Sequence, residues 1–357
     1  MKIIKIGGST IKSTSDLEIA INYLISNYPS SEQLVIIISA FHKLTKLLKD
    51  SVYKILDNPD NYSNELNNIK LFLNIFNNKN TKILLQSHIK SLESLLFAVS
   101  VLEDCSDKLM DNILSYGDLI SSEIFYIELK QSWADCEYIN SQEIFITNSN
   151  FGKADVIIDS TLGNIKKHIK DKTTILAGYI GSDSLSNPTT LGMENSNLSA
   201  ILCSIALETK SCLFITDTKA IYQIDPILTE SDSINNLNYK DALALAENGL
   251  KLFTTEQIEL SEQYKIELIY TSYYSDNLET KINDKTSDYK YILIIDNSKA
   301  TIFSPKSTEL ISSIMTNKDN EIIEANIKPK KNKIILYFQN EIDLNKIKSI
   351  KTILDIS

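Results

Sequence analysis

The chain has 357 residues, of which 43% are hydrophobic and 23% are charged, and its formal net charge is −10. This size and composition are typical of a globular protein with one large α/β domain and one small domain. The negative charge argues against a surface that binds nucleic acid or an anionic membrane. No apolar run reaches the length of a membrane span and the four cysteines lack metal-ligand spacing, so the sequence predicts a cytoplasmic protein with free thiols and no metal-ligating residues.

The chain contains no arginine, so all 36 residues counted as Lys or Arg are lysines. Arginine usually binds carboxylates and phosphates through two parallel hydrogen bonds, which an ammonium group cannot form in the same way. Every task that usually falls to arginine must here be done by lysine, by backbone N–H groups, or not at all.

The first predicted strand, residues 2–6, runs into two adjacent glycines. Lys5 lies near the end of this strand, and Gly7, Gly8 and Ser9 follow it. Glycines let the backbone approach a phosphate closely, and a neighbouring lysine can neutralise its charge. A strand followed by two glycines is more often only a turn, so this pattern alone leaves both interpretations open.

Hydrophobic periodicity predicts most of the elements that come next. We expect amphipathic helices and buried strands, in chain order, over residues 17–28 (helix), 34–38 (strand), 83–102 (helix), 108–133 (helix) and 136–139 (strand). The continuous apolar run at 34–38 is typical of a parallel sheet that is covered on both faces. Residues 57–68 are rich in Asn, Asp and Ser, and this composition predicts a loop.

The stretch from Thr173 to Pro226 predicts a strand, a glycine-containing loop, a helix and a second strand. The strands are residues 175–177 and 212–215, and Ser196 can cap the helix between them. A helix N-terminus attracts anions because its first backbone N–H groups have no partner within the helix. The stretch therefore indicates either an anion site or an ordinary strand–helix–strand unit without a ligand.

The C-terminal part has a different pattern. A helix is expected from residue 238 to about 249, and the last strand of the large sheet over residues 266–269. From about residue 289 we expect, in chain order, strands over 291–295 and 300–303, a helix over 307–315, a strand over 333–338 and a helix over 342–350. The predicted division is a large domain over residues 1–285 and a small α+β domain over residues 286–357.

Several motifs resemble, in order and spacing, those of aspartokinases in the amino-acid kinase superfamily. Lys5-Ile6-Gly7-Gly8-Ser9-Thr10 is similar to the opening of these enzymes. Further matches are Ser115–Ser122, Thr147–Ala154, Gly178–Gly181, Thr189–Gly192, Thr216–Asp217 and Asp225–Pro226. The resemblance covers roughly the first 285 residues and implies an α/β/α sandwich with a mainly parallel sheet. The C-terminal segment resembles a single amino-acid-sensing ACT module, and a small cap that only mediates dimerisation is the alternative.

The resemblance also implies a reaction, its ligands and the roles of individual residues. The reaction would transfer the γ-phosphoryl group of ATP, with Mg²⁺, to the side-chain carboxylate of L-aspartate and form 4-phospho-L-aspartate. Lys5 and Lys251 would be the catalytic groups. The nucleotide would contact Gly7, Gly8, Ser9, Thr216, Asp217, Tyr222 and Asp225. The amino-acid substrate would contact Thr45, Asp118, Ser196 and Asn197. A homodimer or higher homo-oligomer is the implied assembly, without nucleic acid or membrane partners.

The acceptor motif departs from the aspartokinase pattern, which reads Leu-Gly-Arg-Gly-Gly-Ser-Asp. Met193 stands where the resemblance implies an arginine that binds the α-carboxylate of aspartate. Glu194 and Asn195 replace two glycines, and Asn197 replaces the aspartate. Loss of a charge-assisted pair costs about 2–5 kcal/mol when the partner charge stays desolvated.

Two interpretations of these departures stay open. In the first, the chain is an active aspartokinase in which Lys43 or Lys46 supplies the missing positive charge. In the second, it is a degenerate homologue that binds nucleotide or amino acid as a regulatory or scaffold subunit, or it phosphorylates another small carboxylic acid. The departures cluster in the acceptor motif while the nucleotide motifs are largely retained, which favours changed specificity over simple decay.

Overall fold

The computed structural model describes residues 1–192, 195–275, 278–304, 326–330, 333–338 and 340–356. The chain divides into two compact units. Unit 1 comprises Met1–Asp217 and Tyr264–Tyr274, and unit 2 comprises Thr218–Gln263 and Ser275–Ser357. The predicted domain boundary at residues 285 and 286 stays a prediction.

The helices of the described residues are α1 (Thr14–Asn27), α2 (Leu44–Asp57), α3 (Tyr62–Asn74), α4 (Lys82–Leu102), α5 (Asp107–Leu129), α6 (Ser141–Ile144), α7 (Ile158–His168), α8 (Ser196–Ala206), α9 (Tyr239–Glu247), α10 (Thr255–Tyr264) and α11 (Leu344–Ile356). Their strands are β1 (Lys2–Ile6), β2 (Leu34–Ile38), β3 (Cys136–Tyr138), β4 (Thr173–Ala177), β5 (Ile180–Ser182), β6 (Pro188–Thr190), β7 (Ser211–Ile215), β8 (Ile221–Tyr222), β9 (Ser233–Ile234), β10 (Asn236–Asn238), β11 (Glu267–Thr271), β12 (Thr280–Asn283), β13 (Ile292–Asp296), β14 (Lys299–Phe303), β15 (Asn326–Lys330) and β16 (Lys333–Tyr337).

Unit 1 is built on parallel strands that lie in the order β11-β7-β1-β2-β4-β3. Strand β1 is paired on both sides, so Lys5 lies opposite Ile37 of β2 and Phe214 of β7. All five residues of β2 are buried, which is typical of a parallel strand covered by helices on both faces. The predicted α/β class with a mainly parallel sheet is confirmed.

The helices of unit 1 bury their apolar faces against this sheet. One hydrophobic core joins the strands to α1–α5 and includes the fully buried Ile36, Leu48 and Ile124. Helix α8 is buried along its whole length from Asn197 to Ala206. A helix that is buried all round has to carry apolar or small residues on every face, and the α8 sequence SNLSAILCSIA meets this requirement.

The described strands of unit 2 pair in three groups. Strands β10 and β12 form a parallel pair, and β8 and β9 form an antiparallel pair. Strands β13, β14, β16 and β15 form an antiparallel sheet in that order. Its core includes Ile302, Leu336 and Ile350, which joins the sheet to α11. The similarity of this segment to an ACT module stays a prediction, and the helix predicted over residues 307–315 lies outside the described residues.

The loop predicted over residues 57–68 is wrong. Helix α2 continues to Asp57, a short 3-10 turn covers Pro59–Asn61, and α3 begins at Tyr62. The polar composition hid an apolar stripe with helical spacing, because Leu66, Ile69 and Leu73 are all buried. The sequence analysis also failed to predict several other elements of the described residues, namely helices α2, α6, α7 and α10 and strands β5, β6, β8, β9, β10, β12 and β15.

None of the helices in the described part of the chain combines the length and the apolar character that a bilayer crossing requires. The described cysteines Cys105, Cys136, Cys203 and Cys212 are all free thiols, and three of them are buried.

Candidate active site

The candidate site lies where the parallel strands of unit 1 end. The segments after β1, β2 and β4 line a cavity of about 490 Å³, and those after β1, β7 and β11 line a second one of about 170 Å³. Ligands of open parallel sheets bind beyond the carboxyl ends of the strands. Since residues just after β1 line both cavities, this turn borders both the larger and the smaller cavity.

Lys5 is buried in β1, with 9% of its surface exposed, and it lines the larger cavity. Burial lowers the pKa of Lys5 to about 8, while the carboxylates of Asp118 and Asp217 act in the opposite direction. A buried ammonium group is stable only near negative charge. Lys5 is therefore placed to neutralise an anion that enters the cavity.

The turn after Lys5 requires glycine for steric reasons. The N–H of Gly7 donates to the carbonyl of Ile215 at 2.9 Å, and the N–H of Thr10 donates to the carbonyl of Gly7 at 3.0 Å. A Cβ atom on Gly8 would lie 1.8 Å from the carbonyl oxygen of Ala40. Only a glycine at this position lets the turn pack directly against the end of β2.

Asp118 lies on α5 and faces the same cavity. One of its carboxylate oxygens accepts the N–H of Ala40 at 3.1 Å, and the carboxylate also accepts the N–H of Tyr179. Burial raises the pKa of Asp118 to about 7, although the two N–H groups and the charge of Lys5 lower it. Asp118 thus connects α5 to the ends of β2 and β4.

The serine at the start of α8 does not cap this helix as predicted, since the N-cap is Asn195 and Ser196 is the first helical residue. The hydroxyl of Ser196 accepts a hydrogen bond from Ser39 at 2.9 Å. The hydroxyl of Ser199 donates to the carbonyl of Gly178. These bonds hold the helix start against the ends of β2 and β4, where Ser196 lines the larger cavity.

The smaller cavity brings together Ser9, Thr216 and Asp217, which the sequence assigns to the nucleotide. The N–H of Thr216 donates to the carbonyl of Thr271 at 2.8 Å, so β7 and β11 remain paired up to the cavity. The residues predicted to contact the acceptor lie apart from these nucleotide residues. Thr45, Asp118 and Ser196 all line the larger cavity. The roles of all these residues stay predictions.

The other predicted site residues have different surroundings. Asn197 is buried in α8 and is absent from the described lining of the larger cavity. Tyr222, Asp225 and Lys251 belong to unit 2, where Tyr222 is half-buried and the other two are exposed. Met193 and Glu194, on which the altered acceptor motif depends, lie outside the described residues.

Three lysines of α2 line the larger cavity as well. Lys43 and Lys46 are the residues that the sequence analysis considered as replacements for arginine, and Lys49 is an addition that it missed. Lys43 lies at the N-cap of α2 in the left-handed conformation, with φ of 66°. Glycine is the residue that adopts this conformation without strain. Spacing alone could have found Lys49, since residues three apart share one face of a helix.

Asp111 is a buried residue near the site that sequence reasoning also missed. Its carboxylate accepts the N–H of Gly152 at 2.9 Å, and the N–H and hydroxyl of Thr190 at 3.0 and 2.6 Å. These contacts connect α5 to the loop at residues 147–154 and to the strand that precedes Leu191. Asp111 therefore positions the strand that leads into the acceptor motif and ties it to the loop at residues 147–154.

We expect Asp111→Ala to lower the free energy of unfolding by about 3 kcal/mol, because two buried N–H groups lose their acceptor. Asp111→Asn is the matched control. Its amide oxygen can still accept both N–H groups and its NH₂ can donate to the Thr190 hydroxyl, so a loss below about 1.5 kcal/mol is expected. Urea unfolding of both variants measures the difference. Equal losses would contradict the role of Asp111 as a hydrogen-bond acceptor.

The described residues fit Mg²⁺ only if a bound ligand supplies some of the atoms that coordinate the metal. They contain no group of three or more His, Cys, Asp or Glu that could hold a metal. Asp16 and Asp217 line the smaller cavity. Mg²⁺ is commonly bound by one or two carboxylates together with substrate phosphates, so these carboxylates could contribute to a site that phosphates complete.

Comparison with known sequences identifies the protein family of this chain. The model of the amino acid kinase family matches residues 1–271. The aspartokinase of Rickettsia felis is 27% identical over 223 residues, which are 59% of this chain and 55% of that protein. The aspartokinase of Helicobacter pylori is 29% identical over 162 residues, or 45% and 40% of the two chains. The chain thus spans about half the length of these relatives.

Comparison with solved structures identifies the fold. Aspartokinase III of Escherichia coli, solved in complex with aspartate and ADP, superimposes with a TM-score of 0.75 at 18% identity. The match covers 96% of this chain and 79% of that protein. At this identity the likeness shows that the two proteins share a fold.

Proposed function

Because the chain belongs to the amino acid kinase family, we propose that it is an ATP-dependent phosphotransferase whose acceptor is the side-chain carboxylate of L-aspartate. The observation that carries the proposal is the arrangement around the turn after β1. Lys5 and Gly8 line the larger cavity with Asp118, and Ser9 lines the smaller one with Asp217. A phosphoryl group bound at this turn would lie between the two spaces.

The reaction breaks one bond and forms one. A carboxylate oxygen of the acceptor attacks the γ-phosphorus of ATP, and the bond from that phosphorus to the β–γ bridging oxygen breaks. The products are ADP and an acyl phosphate, and no proton is transferred. Because both reactants are anions, catalysis depends mainly on positioning and on neutralising charge.

Each side chain has a proposed part in this step. Lys5 neutralises the transferring group, and the backbone of Gly7 and Gly8 lets that group approach the end of β1. Thr45 and Ser196 donate hydrogen bonds to the acceptor. When Mg²⁺ is bound, it neutralises further phosphate charge. The roles of Tyr222, Asp225 and Lys251 of unit 2 toward the nucleotide stay part of the proposal, as do the homo-oligomeric state and the cytoplasmic location.

The proposal is tested by ADP release from the full chain with ATP, Mg²⁺ and L-aspartate. We expect release that depends on L-aspartate, and we expect hydroxylamine to trap the acyl phosphate as a hydroxamate. ADP release that is the same with and without L-aspartate would contradict the proposal. ATP binding without any turnover would instead support the degenerate homologue that acts as a regulatory subunit.

A further inference from the structure

The larger cavity of unit 1 carries a strong excess of positive charge. Lys5, Lys43, Lys46 and Lys49 line it, and Asp118 is the single acidic residue among its described lining residues. No described carboxylate forms an ion pair with Lys43, Lys46 or Lys49. A concave site lined by charges of one sign attracts ligands of the opposite sign.

The three lysines of α2 occupy positions that are locally unfavourable for lysine. Lys43 is strained by its left-handed backbone, with φ of 66°. It also lies at the positive end of the helix dipole, and the first turn of α2 contains no acidic residue. Lys46 and Lys49 follow at intervals of three, where like charges on a helix repel each other. Residues in locally unfavourable positions are expected at binding sites, where function requires them.

His42 directly precedes Lys43 in the chain, and its pKa depends first on burial and second on nearby lysines. Burial lowers the pKa of His42, and the charges of Lys43 and Lys12 lower it further, against the opposite effect of Asp217. Burial and the two lysines therefore favour the neutral form of His42. It does not offset the charge of the lysines on α2.

Asp118 is poorly suited to bind an ammonium group of a ligand. Its carboxylate already accepts the N–H groups of Ala40 and Tyr179, and its charge is balanced by Lys5. The described lining of the cavity thus recognises negative groups much better than positive ones.

We propose that Lys43, Lys46 and Lys49 form a subsite for the second carboxylate of the acceptor, the one that is not phosphorylated. The acceptors are then short dicarboxylic acids, and an amino group on them is not required. This inference rests on the proposed phosphotransfer function and names the substrate class of the same cavity. While one carboxylate attacks the γ-phosphorus near Lys5, the other is held by the lysines of α2.

Two analogues of L-aspartate separate the contributions of its charged groups. Succinate lacks only the ammonium group, and β-alanine lacks only the α-carboxylate. Isothermal titration of the full chain with each acid, in the presence of AMP-PNP and Mg²⁺, measures their dissociation constants. We expect succinate to bind within about tenfold of L-aspartate, and β-alanine to bind at least about 30-fold more weakly, as loss of a charge-assisted contact implies.

Variants identify the side chains responsible. Lys46→Met and Lys49→Met are each expected to weaken succinate binding about tenfold or more. Lys90→Met, which removes a lysine of α4 outside the cavity, is the control and should change it less than about twofold. Lys43→Gly should weaken binding as well, yet raise the thermal midpoint by about 2 °C because glycine relieves the left-handed strain. A purely structural role of Lys43 would not produce these opposite changes.

The outcomes distinguish the inference from the function on which it rests. ADP release with L-aspartate, combined with equal binding of β-alanine, would overturn the subsite and leave the phosphotransferase standing. Succinate binding that is unchanged in all three lysine variants would also overturn it. Lysine-dependent binding of dicarboxylates without any ADP release would support the subsite and contradict the phosphotransfer function.

Discussion

Lys5→Met is expected to lower kcat for phosphoryl transfer by about 1,000-fold, the effect typical of losing a group that stabilises charge in the transition state. Lys5 is buried and lines the larger cavity together with Asp118. Methionine preserves most of the side-chain volume and removes the charge. Lys2→Met is the matched control, because Lys2 lies on the same strand with an exposed side chain, and it should change kcat less than about twofold.

The same variant should be more stable than the wild type at neutral pH. The folded-state pKa of Lys5 is lowered from 10.5 to about 8, so the folded protein binds fewer protons than the unfolded chain between these values. The resulting penalty is complete below pH 8 and disappears as the pH rises to 10.5. Removing the charge should stabilise the protein at pH 7 by on the order of 1–3 kcal/mol, because Asp118 can take up a proton when its cation is lost.

The pH dependence of activity should also reflect the ionisation of Lys5. Since the ammonium form is the one that neutralises phosphate, kcat/KM is expected to fall as the pH rises through about 8. Asp217 raises the pKa of Lys5, so Asp217→Asn should move this decrease to lower pH. A kcat/KM that stays constant up to pH 10, or a Lys5→Met protein as active as the wild type, would contradict the role of Lys5.

Gly8→Ala is expected to destabilise the protein by on the order of 4 kcal/mol or to prevent folding, since an added Cβ would lie 1.8 Å from the Ala40 carbonyl oxygen. This oxygen belongs to the backbone at the end of β2, which cannot move without disturbing the sheet. The variant should therefore lose activity together with stability. Urea unfolding and ADP release measure the two losses.

Gly163→Ala is the control for this substitution. Gly163 is exposed in the middle of α7 with no atom within 4 Å of the added Cβ. Alanine has the higher helix propensity, so a gain of about 0.5–1 kcal/mol is expected. If Gly8→Ala unfolded at the same urea concentration as the wild type, the close packing of the turn after β1 would be disproved.

Regular elements could be predicted because their signals are local. The apolar run of β2 and the helical stripe of α1 need no information from distant residues. Where polar residues dominate a segment, as at 57–68, the composition hid the stripe of α3. The resemblance of motifs predicted more than hydrophobic periodicity did. The order of short glycine-containing segments along the chain indicates a family even when the three-dimensional fold is not known.

The amino-acid sequence by itself determined the α/β class and the kinase family, since strand periodicity and motif order are properties of neighbouring residues. The tertiary structure alone decided the chemistry of the site. Asp118 meets Ala40 across 78 positions of the chain, and Asp111 meets Thr190 across 79. The pKa values of Lys5 and Asp118 follow from burial and from each other's charge. Such contacts depend on which strands become neighbours, and this is settled only when the sheet forms.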